Sequence, residues 1–138
     1  MDRNMKALGK NDIAAIDDNQ VLAVAVPEWS KNGEECGVYV RIMTAAERDS
    51  FEAGINVGNG ERNLNNLRAR LCVLCVVDEK GNRLFRGEAD TKMLGEKSSK
   101  AINRIFDAAR KHNGMTEGDV EELEKNSLSS QDANSSSP

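Results

Sequence analysis

Two short aliphatic runs in the first third of the chain predict a β-hairpin. The first, VLAVAV (Val21 to Val26), ends at a proline, and the second, VYVRI (Val38 to Ile42), is rich in β-branched residues. A polar loop that contains the turn-forming pair Asn32-Gly33 separates them. Because an isolated hairpin is only marginally stable in water, this one is expected to pack against helices.

The second run alternates between apolar and polar positions. Since successive strand side chains point to opposite faces, Val38, Val40 and Ile42 are predicted to face the core. Tyr39 and Arg41 are then predicted to be exposed on the other face.

A helix is predicted after the hairpin. Thr44 and Glu47 have the spacing of a capping box, in which the hydroxyl and the carboxylate bond reciprocally to backbone N–H groups. Phe51 and Ile55 lie four residues apart, so they share one face of this helix.

A second helix follows a loop rich in Gly and Asn, and its leucines have spacings of three, four and three: Leu64, Leu67, Leu71 and Leu74. The run LCVLCVV (Leu71 to Val77) is apolar all round, so this end of the helix is expected to be the most buried. The same run also has strand propensity, which leaves a strand open as an alternative.

Two more helices are predicted further along the chain. A short one runs from Ala89 to Leu94 and ends at Gly95. A longer one begins after Ser98 or Ser99, runs to His112, and carries an apolar stripe at Ile102, Ile105, Phe106 and Ala109.

The sequence also predicts how the long helix ends. Asn113-Gly114 is typical of a C-terminal cap, and His112 is favourably placed there to bond to backbone carbonyls. Thr116 then predicts the start of a final acidic helix.

Together these patterns predict an α+β, mostly helical fold in which an N-terminal β-hairpin packs on about four helices. Residues 1–20 are expected to be a flexible segment with at most a helical turn, residues 21–126 one domain, and residues 127–138 a disordered Ser-rich tail. The expected core is Val24, Val40, Ile42, Phe51, Leu67, Leu71, Leu74, Phe85, Ile102, Ile105 and Phe106.

Composition excludes several classes of protein. With 19 Lys and Arg against 23 Asp and Glu in 138 residues, the net charge is −4, which argues against nucleic-acid binding. The longest apolar run has seven residues, whereas a membrane span needs about 20. Three Cys in a chain without a secretory signal indicate reduced thiols and a cytoplasmic location.

No enzyme signature is found. Cys72 and Cys75 form a CxxC pair, but they lie in an apolar run, which favours buried structural thiols over a redox site. Cys36 and His112 do not complete a zinc-site spacing. The GNG sequence at residues 58–60 lacks the Lys-Ser/Thr of a phosphate loop. We therefore expect no catalytic, cofactor-binding or metal-binding residues.

Charge is segregated near the C-terminal end. Lys97, Lys100, Arg104, Arg110 and Lys111 against Asp107 give +4, and the five acidic residues of 115–126 against Lys125 give −4. Two solvated helix faces explain this pattern, each exposed ion pair contributing at most about 1 kcal/mol. A bipolar surface that steers a partner or a second copy is the alternative.

Four segments in order resemble one family, the tail assembly chaperones of bacteriophages with long, non-contractile tails. They are VPEW (26–29), VYVRIMTAAERDSFE (38–52), NLRARLCVLCVVDEKGNRLF (66–85) and LGEKSSKAINRIFDAARKHNGMTEGDVEELEKN (94–126). Together they span nearly all of the predicted domain.

The resemblance implies a non-enzymatic protein of the infected host's cytoplasm that is absent from the mature virion. Such chaperones coat the helical, apolar tape measure protein, keep it soluble and help recruit tail tube protein subunits. Many copies on one long polymer favour self-association. The family often makes a longer product by ribosomal frameshifting, and Glu124-Lys125-Asn126 is compatible with a slippery codon run.

Candidate contacts with the tape measure protein are the basic face around Lys100 and Arg104 and the strand residues Tyr39 and Arg41. Two other functions stay open at this point. One is a structural part of the virion, such as a tail completion or head–tail joining protein, and the other is a thiol redox enzyme that uses Cys72 and Cys75.

Overall fold

The computed structural model describes residues 4–55 and 66–115. Four predictions concern other residues and lie outside these ranges: Leu64 in the second helix, the GNG connector at 58–60, the acidic helix after Thr116, and the Ser-rich segment 127–138.

Within the described residues the chain forms five α-helices and one antiparallel sheet of three strands in the order β1-β2-β3. The elements are α1 (Lys10–Ala15), β1 (Leu22–Ala25), a 3-10 turn (Pro27–Trp29), β2 (Gly37–Val40), α2 (Ala45–Ile55), α3 (Leu67–Cys75), β3 (Val76–Val77), α4 (Gly87–Gly95) and α5 (Ser99–His112). The predicted α+β, mostly helical fold is confirmed.

The predicted hairpin is formed by β1 and β2. Leu22 pairs with Val40 and Ala25 with Gly37, and the hydrogen bond from Val26 N to Cys36 O extends the ladder by one step. A Cβ on Gly37 would lie 2.0 Å from the carbonyl oxygen of Val24, so only glycine allows the two strands to approach this closely.

The apolar run at 71–77 contains both structures that its pattern left open. Residues up to Cys75 continue α3, and Val76 and Val77 then form β3, in which they pair with Val40 and Tyr39 of β2. The chain thus changes from helix to strand while the side chains of Cys75, Val76 and Val77 stay buried.

The predicted alternation along the second strand ends at Val40. The next residue, Arg41, is only 8% exposed, so the prediction that it faces solvent is wrong. Ile42 is partly exposed and does not join the buried core, so its predicted place in the core is wrong. Its backbone N–H donates to Asn19 Oδ1, and its carbonyl oxygen accepts from Asn19 Nδ2. The strand ends here because the backbone groups of Ile42 bond to the Asn19 side chain, while Arg41 N donates to Cys75 O.

Most of the expected core is confirmed as buried: Val40, Phe51, Leu67, Leu71, Ile102, Ile105 and Phe106. Val24, Leu74 and Phe85 are partly buried and pack against that core. The sequence analysis missed several residues that are buried near the ends of elements, including Val26, Met43, Leu94, Ala101 and Met115.

The long helix α5 lies against the sheet and α3. Its N-terminus is capped by Ser98 Oγ, which accepts a hydrogen bond from Lys100 N at 3.2 Å. Asn113 is the C-terminal cap and Gly114 follows with a φ of +71°, as the sequence predicts.

The side chain of Asn113 joins three parts of the fold. Its Oδ1 accepts a hydrogen bond from Met43 N at 2.7 Å, and its Nδ2 donates to Arg41 O at 3.2 Å and to Ala109 O at 2.8 Å. The end of α5 is therefore fixed to the segment between β2 and α2.

Residues 4–20 precede the hairpin and are exposed. The predicted helical turn is present as α1, and Asp12 Oδ2 accepts a hydrogen bond from Gly9 N at 3.0 Å at its start. No residue of α1 is buried, and Ile13 is 60% exposed. The flexibility expected for residues 1–20 stays a prediction.

Candidate functional site

The predicted capping box of α2 is confirmed and is part of a larger polar cluster. Thr44 Oγ1 accepts from Glu47 N at 3.1 Å, and Glu47 Oε1 accepts from Thr44 N at 2.9 Å. The same carboxylate accepts two hydrogen bonds from Arg41, Nη1 to Oε1 at 2.8 Å and Nη2 to Oε2 at 2.7 Å. These bonds from Arg41 lower the pKa of Glu47 to about 2 and raise the pKa of Arg41.

Arg41 also contacts α3. Its Nε and Nη2 donate to the carbonyl oxygen of Leu74 at 3.0 and 2.7 Å. The guanidinium therefore joins the start of α2 to the last turn of α3, and this role explains why it is buried despite its charge.

A groove of about 430 Å³ opens beside this cluster, between α2, α3 and α4. We call it the α2–α4 groove, and it is lined by Ala46, Glu47, Ser50, Phe51, Gly54, Arg70, Val73, Leu74, Arg83, Gly87, Glu88 and Thr91. Phe51 and Val73 are buried and Leu74 is partly buried, so these three form its apolar floor.

Small residues line both walls of the α2–α4 groove. Ala46, Ser50 and Gly54 are spaced by four along α2, so they lie on one face of that helix. Gly87 and Thr91 have the same spacing on α4. Walls without long apolar side chains leave room for another backbone to approach the floor.

Two arginines also line the α2–α4 groove. Arg70 Nη1 donates to Gly54 O at 3.3 Å, and burial lowers the pKa of this guanidinium. Arg83 Nη2 donates to Val73 O at 3.3 Å, and its Nε is buried with no hydrogen-bond partner in the part of the chain that the structure describes. The groove is thus apolar at its floor and cationic beside it.

A second groove, of about 600 Å³, lies between the 3-10 turn and α4. We call it the Trp29 groove because Trp29, Phe85 and Met93 supply its apolar surface. Lys31 and Lys97 flank it. Met93 is 37% exposed, so this surface is apolar and open.

The predicted basic face on α5 is smaller than its sequence suggests. Arg104 Nε donates to both oxygens of Glu28, at 2.7 and 2.8 Å, and these bonds lower the pKa of Glu28. Arg110 is only 3% exposed and donates to Met115 O, so its assignment to a solvated face is wrong. Lys100 stays exposed.

The four residues that were predicted to contact the partner do not lie together on one surface. Tyr39 is 37% exposed on β2, Arg41 is buried, and Lys100 and Arg104 lie on α5. None of the four lines either apolar groove. The spacing of Ala46, Ser50 and Gly54 was the sequence signal available for the α2–α4 groove, but small residues alone do not identify a surface.

The two cysteines of the CxxC pair are buried, as predicted. Cys72 and Cys75 have no exposed surface, and burial raises the pKa of each thiol to about 12. Cys36 is partly exposed, and its Sγ donates to Val26 O at 3.3 Å. This arrangement fits structural thiols rather than a reactive pair.

His112 bonds to a carbonyl, although not to one of its own helix. Its Nε2 lies 2.5 Å from Gln20 O, so it joins the end of α5 to the segment before β1.

Over residues 4–55 and 66–115, no group of three or more His, Cys, Asp or Glu side chains is placed to hold a metal ion. In the same ranges, every helix is too short or too polar to cross a membrane.

The chain was compared with models of protein families, with curated proteins and with solved structures, and none of them matches.

Proposed function

We propose that this protein is a tail assembly chaperone of a bacteriophage with a long, non-contractile tail. It binds the tape measure protein in the host cytoplasm, keeps it soluble, and helps tail tube protein subunits to assemble around it. It acts without catalysis, associates with further copies of itself, and is not retained in the mature virion.

The observation that carries this proposal is the ordered set of four segments that resembles the chaperone family. Three of the four are segments that build the fold: residues 38–52 form β2 and most of α2, residues 66–85 form α3 and β3, and residues from 94 onward include α5. The likeness therefore involves the framework of the domain and not one short motif.

The grooves support the same proposal physically. A tape measure protein exposes apolar helical stripes before the tail tube encloses them, and exposed patches of that kind aggregate unless they are covered. A groove with an apolar floor takes such a helix through side chains at positions i, i+3, i+4 and i+7. The α2–α4 groove and the Trp29 groove both offer such surfaces.

Co-expression with the tape measure protein of the same phage tests the proposal. The tape measure protein alone is expected in the insoluble fraction, and this protein is expected to move it into the soluble fraction and to co-purify with it. If the tape measure protein stays insoluble at a tenfold excess of this chain, the proposal is wrong.

Mass spectrometry of purified particles distinguishes the chaperone from a virion component. We expect peptides of the tail tube and tape measure proteins in the particle and none of this chain. Stoichiometric amounts of this chain in the particle would instead support a tail completion or head–tail joining protein.

The coding sequence tests whether a longer product is made by frameshifting. A slippery heptamer at the codons for residues 124–126 would support a frameshift there, and western blotting of infected cells with an antibody to the domain is expected to show two bands.

A further inference from the structure

We propose that two copies of this chain associate through the open edge of β1, and that the two β1 strands pair antiparallel around a two-fold axis at Ala23. The three-stranded sheets of the two copies then become one continuous sheet. The inference gives a surface to the self-association in the proposed function, and it rests on that function only for the biological role of the dimer.

The backbone of β1 has hydrogen-bonding groups that point away from its own sheet. Val26 N donates to Cys36 O, which identifies Val26 as a residue that exchanges hydrogen bonds with β2. Because such residues alternate along an antiparallel strand, Leu22 and Val24 also bond to β2. The residues between them, and the one before, direct their N–H and C=O groups to the open side: Val21, Ala23 and Ala25.

The two edges of the sheet differ in how they are covered. At β3, Val77 bridges to Arg83 and Leu84 N donates to Val76 O, so the chain itself covers that edge. Within the described residues, β1 has a strand on one side only. We call the open side of residues 21–25 the β1 edge.

The β1 edge lacks the features that block strand pairing. Soluble proteins protect an edge strand with charged side chains, prolines or bulges. Residues 21–26 contain no charged residue and no proline, and β1 pairs with β2 without a bulge. Val21 and Leu22 are each 41% exposed. An uncharged, apolar and exposed edge of this kind is a template for another strand.

The positions of the outward-facing residues favour β1 of a second copy as that strand. With the axis at Ala23, the two Ala23 residues oppose each other, and Val21 of each copy opposes Ala25 of the other. All three outward-facing residues of each copy then form hydrogen-bonded pairs.

The neighbouring registers are poorer. An axis at Val24 would oppose Val21 to Pro27, which has no N–H donor. An axis at Leu22 would oppose Ala25 to Asn19, whose N–H already donates to Asp17 Oδ1. The register centred on Ala23 is therefore the one that satisfies the most backbone groups.

The side chains of β1 fit the same register. Leu22 of one copy lies beside Val24 of the other on the side of the sheet that carries the core, so the exposed Leu22 gains an apolar neighbour. Ala23 and Ala25 are exposed on the opposite side, and their small side chains place neither bulk nor charge between the copies.

The segment before β1 adds area to this interface. Stable interfaces bury about 1,200 to 2,000 Å² in total, which is more than a five-residue strand edge supplies. Asn19 is held beside Ile42, so the chain enters β1 in line with the strand, and antiparallel pairing carries residues 4–20 past the end of β1 of the second copy. Six of the nine large apolar side chains that are exposed in the described ranges belong to this segment and the start of the edge: Met5, Leu8, Ile13, Ile16, Val21 and Leu22.

The short helix α1 supports this account. It has six residues, none of them buried, whereas an isolated helix shorter than about 12 residues is marginal in water. A second copy gives α1 a surface to pack on, and it covers apolar side chains that the fold of one copy leaves exposed.

Charges placed at the axis test the interface. Sedimentation velocity of the full chain over a concentration series measures the Kd of the dimer. Ala23→Lys and Ala23→Glu each place like charges opposite each other, so each is expected to raise this Kd by at least about tenfold. An equal mixture of the two variants is expected to form a heterodimer with the wild-type Kd or a lower one, because opposite charges then face each other.

The matched control is Tyr39→Lys. Tyr39 is the residue of β2 that pairs with Ala23, so this variant adds the same charge to the same side of the sheet, one strand away from the edge. It is expected to leave the Kd of the dimer within about twofold. Circular dichroism melting curves establish that each variant is folded.

A cysteine at the axis tests the register. In a Cys36→Ser background, Ala23→Cys is expected to form a disulfide-linked dimer on mild oxidation, because opposed Cα atoms lie about 5.5 Å apart. Ala25→Cys in the same background is the control, since residue 25 lies about 14 Å from its equivalent in the second copy. Cys72 and Cys75 are buried and stay in place. Non-reducing gels measure the linked fraction.

Each failure has its own signature. A wild type that stays monomeric up to about 1 mM overturns the proposal. Folded Ala23→Lys and Ala23→Glu variants that dimerise as well as the wild type place the interface elsewhere, and equal crosslinking of Ala23→Cys and Ala25→Cys contradicts the register.

The proposed function has a separate readout in the co-expression experiment. If the tape measure protein stays insoluble beside a wild-type dimer that responds to these substitutions, the chaperone function is wrong and the interface stands. If a monomeric wild type makes the tape measure protein soluble, the interface is wrong and the chaperone function stands.

Discussion

Arg41 and Glu47 form a bidentate ion pair across the start of α2, with N–O distances of 2.8 and 2.7 Å. The same Glu47 closes the capping box with Thr44, and the same Arg41 donates to the carbonyl oxygen of Leu74. The Arg41–Glu47 ion pair therefore provides hydrogen-bond partners for backbone groups at the N-terminus of α2 and at the C-terminal end of α3.

Removing the guanidinium is expected to destabilise the fold strongly. Arg41→Ala leaves the Glu47 carboxylate without its counter-ion and the Leu74 carbonyl without its donors, so the free energy of unfolding should fall by about 3 to 5 kcal/mol. Urea unfolding followed by circular dichroism measures this change. The exposed Arg86→Ala is the control and should change stability by about 0.5 kcal/mol or less. Equal effects of the two substitutions would contradict the structural role of Arg41.

The ion pair also predicts a pH dependence of stability. The pKa of Glu47 is about 2 in the folded protein and 4.5 ordinarily, so the folded state favours the ionised form. Its contribution is complete above pH 4.5 and is lost as the pH falls from about 4.5 to about 2. Stability curves measured across this range should fall more steeply for the wild type than for Glu47→Gln.

The comparison with Glu47→Gln is needed because other carboxyls contribute in the same direction. The pKa values of Glu28 and Asp78 are also lowered, by hydrogen bonds from Arg104 and from the backbone at Asn82 respectively. Parallel curves for the wild type and Glu47→Gln below pH 4.5 would mean that Glu47 does not titrate as described.

The three thiols should differ in their rates of alkylation. Iodoacetamide at pH 8 is expected to label Cys36 first, because it is partly exposed, while Cys72 and Cys75 react only when the chain unfolds. Mass spectrometry of native and urea-unfolded samples counts the labels, and Cys36→Ser should show almost none in the native state. Rapid native labelling of Cys72 or Cys75 would revive the redox alternative.

Phe106 tests the packing of α5. It is 5% exposed, and the guanidinium of Arg68 lies 5.4 Å from its ring centre. Phe106→Ala should lower stability by about 3 to 5 kcal/mol through lost burial and the cavity left behind. Asn103→Ala, at an exposed position of the same helix, is the control for thermal melting. An unchanged melting temperature of Phe106→Ala would contradict the buried face.

Sequence reasoning succeeded where the signal is local. The capping box at Thr44 and Glu47 and the stripe on α5 each depend on spacing within one helix, and a spacing fixes which side chains share a face. The hairpin was predictable for a similar reason, since two β-branched runs and a turn signal are close together in the chain.

Sequence reasoning failed where residues far apart in the chain decide the outcome. Arg41 follows an alternating strand, and its burial depends on the Leu74 carbonyl 33 positions later. The α2–α4 groove requires three helices to meet, and neither the charge of Arg83 nor the small walls of α2 reveal that neighbourhood. The grouping of Lys100 and Arg104 was misleading because Glu28, which pairs with Arg104, is 76 positions away.

The bonds made by Asn113 have a consequence for how the protein is synthesised. The backbone groups of Arg41 and Met43 that bond to Asn113 are synthesised 70 or more residues before that side chain. Until then the nascent hairpin has no helix α5 to pack on, and the folding transition is delayed until translation is well advanced. A polypeptide terminated by a stop codon just before Asn113 would lack these three hydrogen bonds and is expected to be less stable than the longer chain.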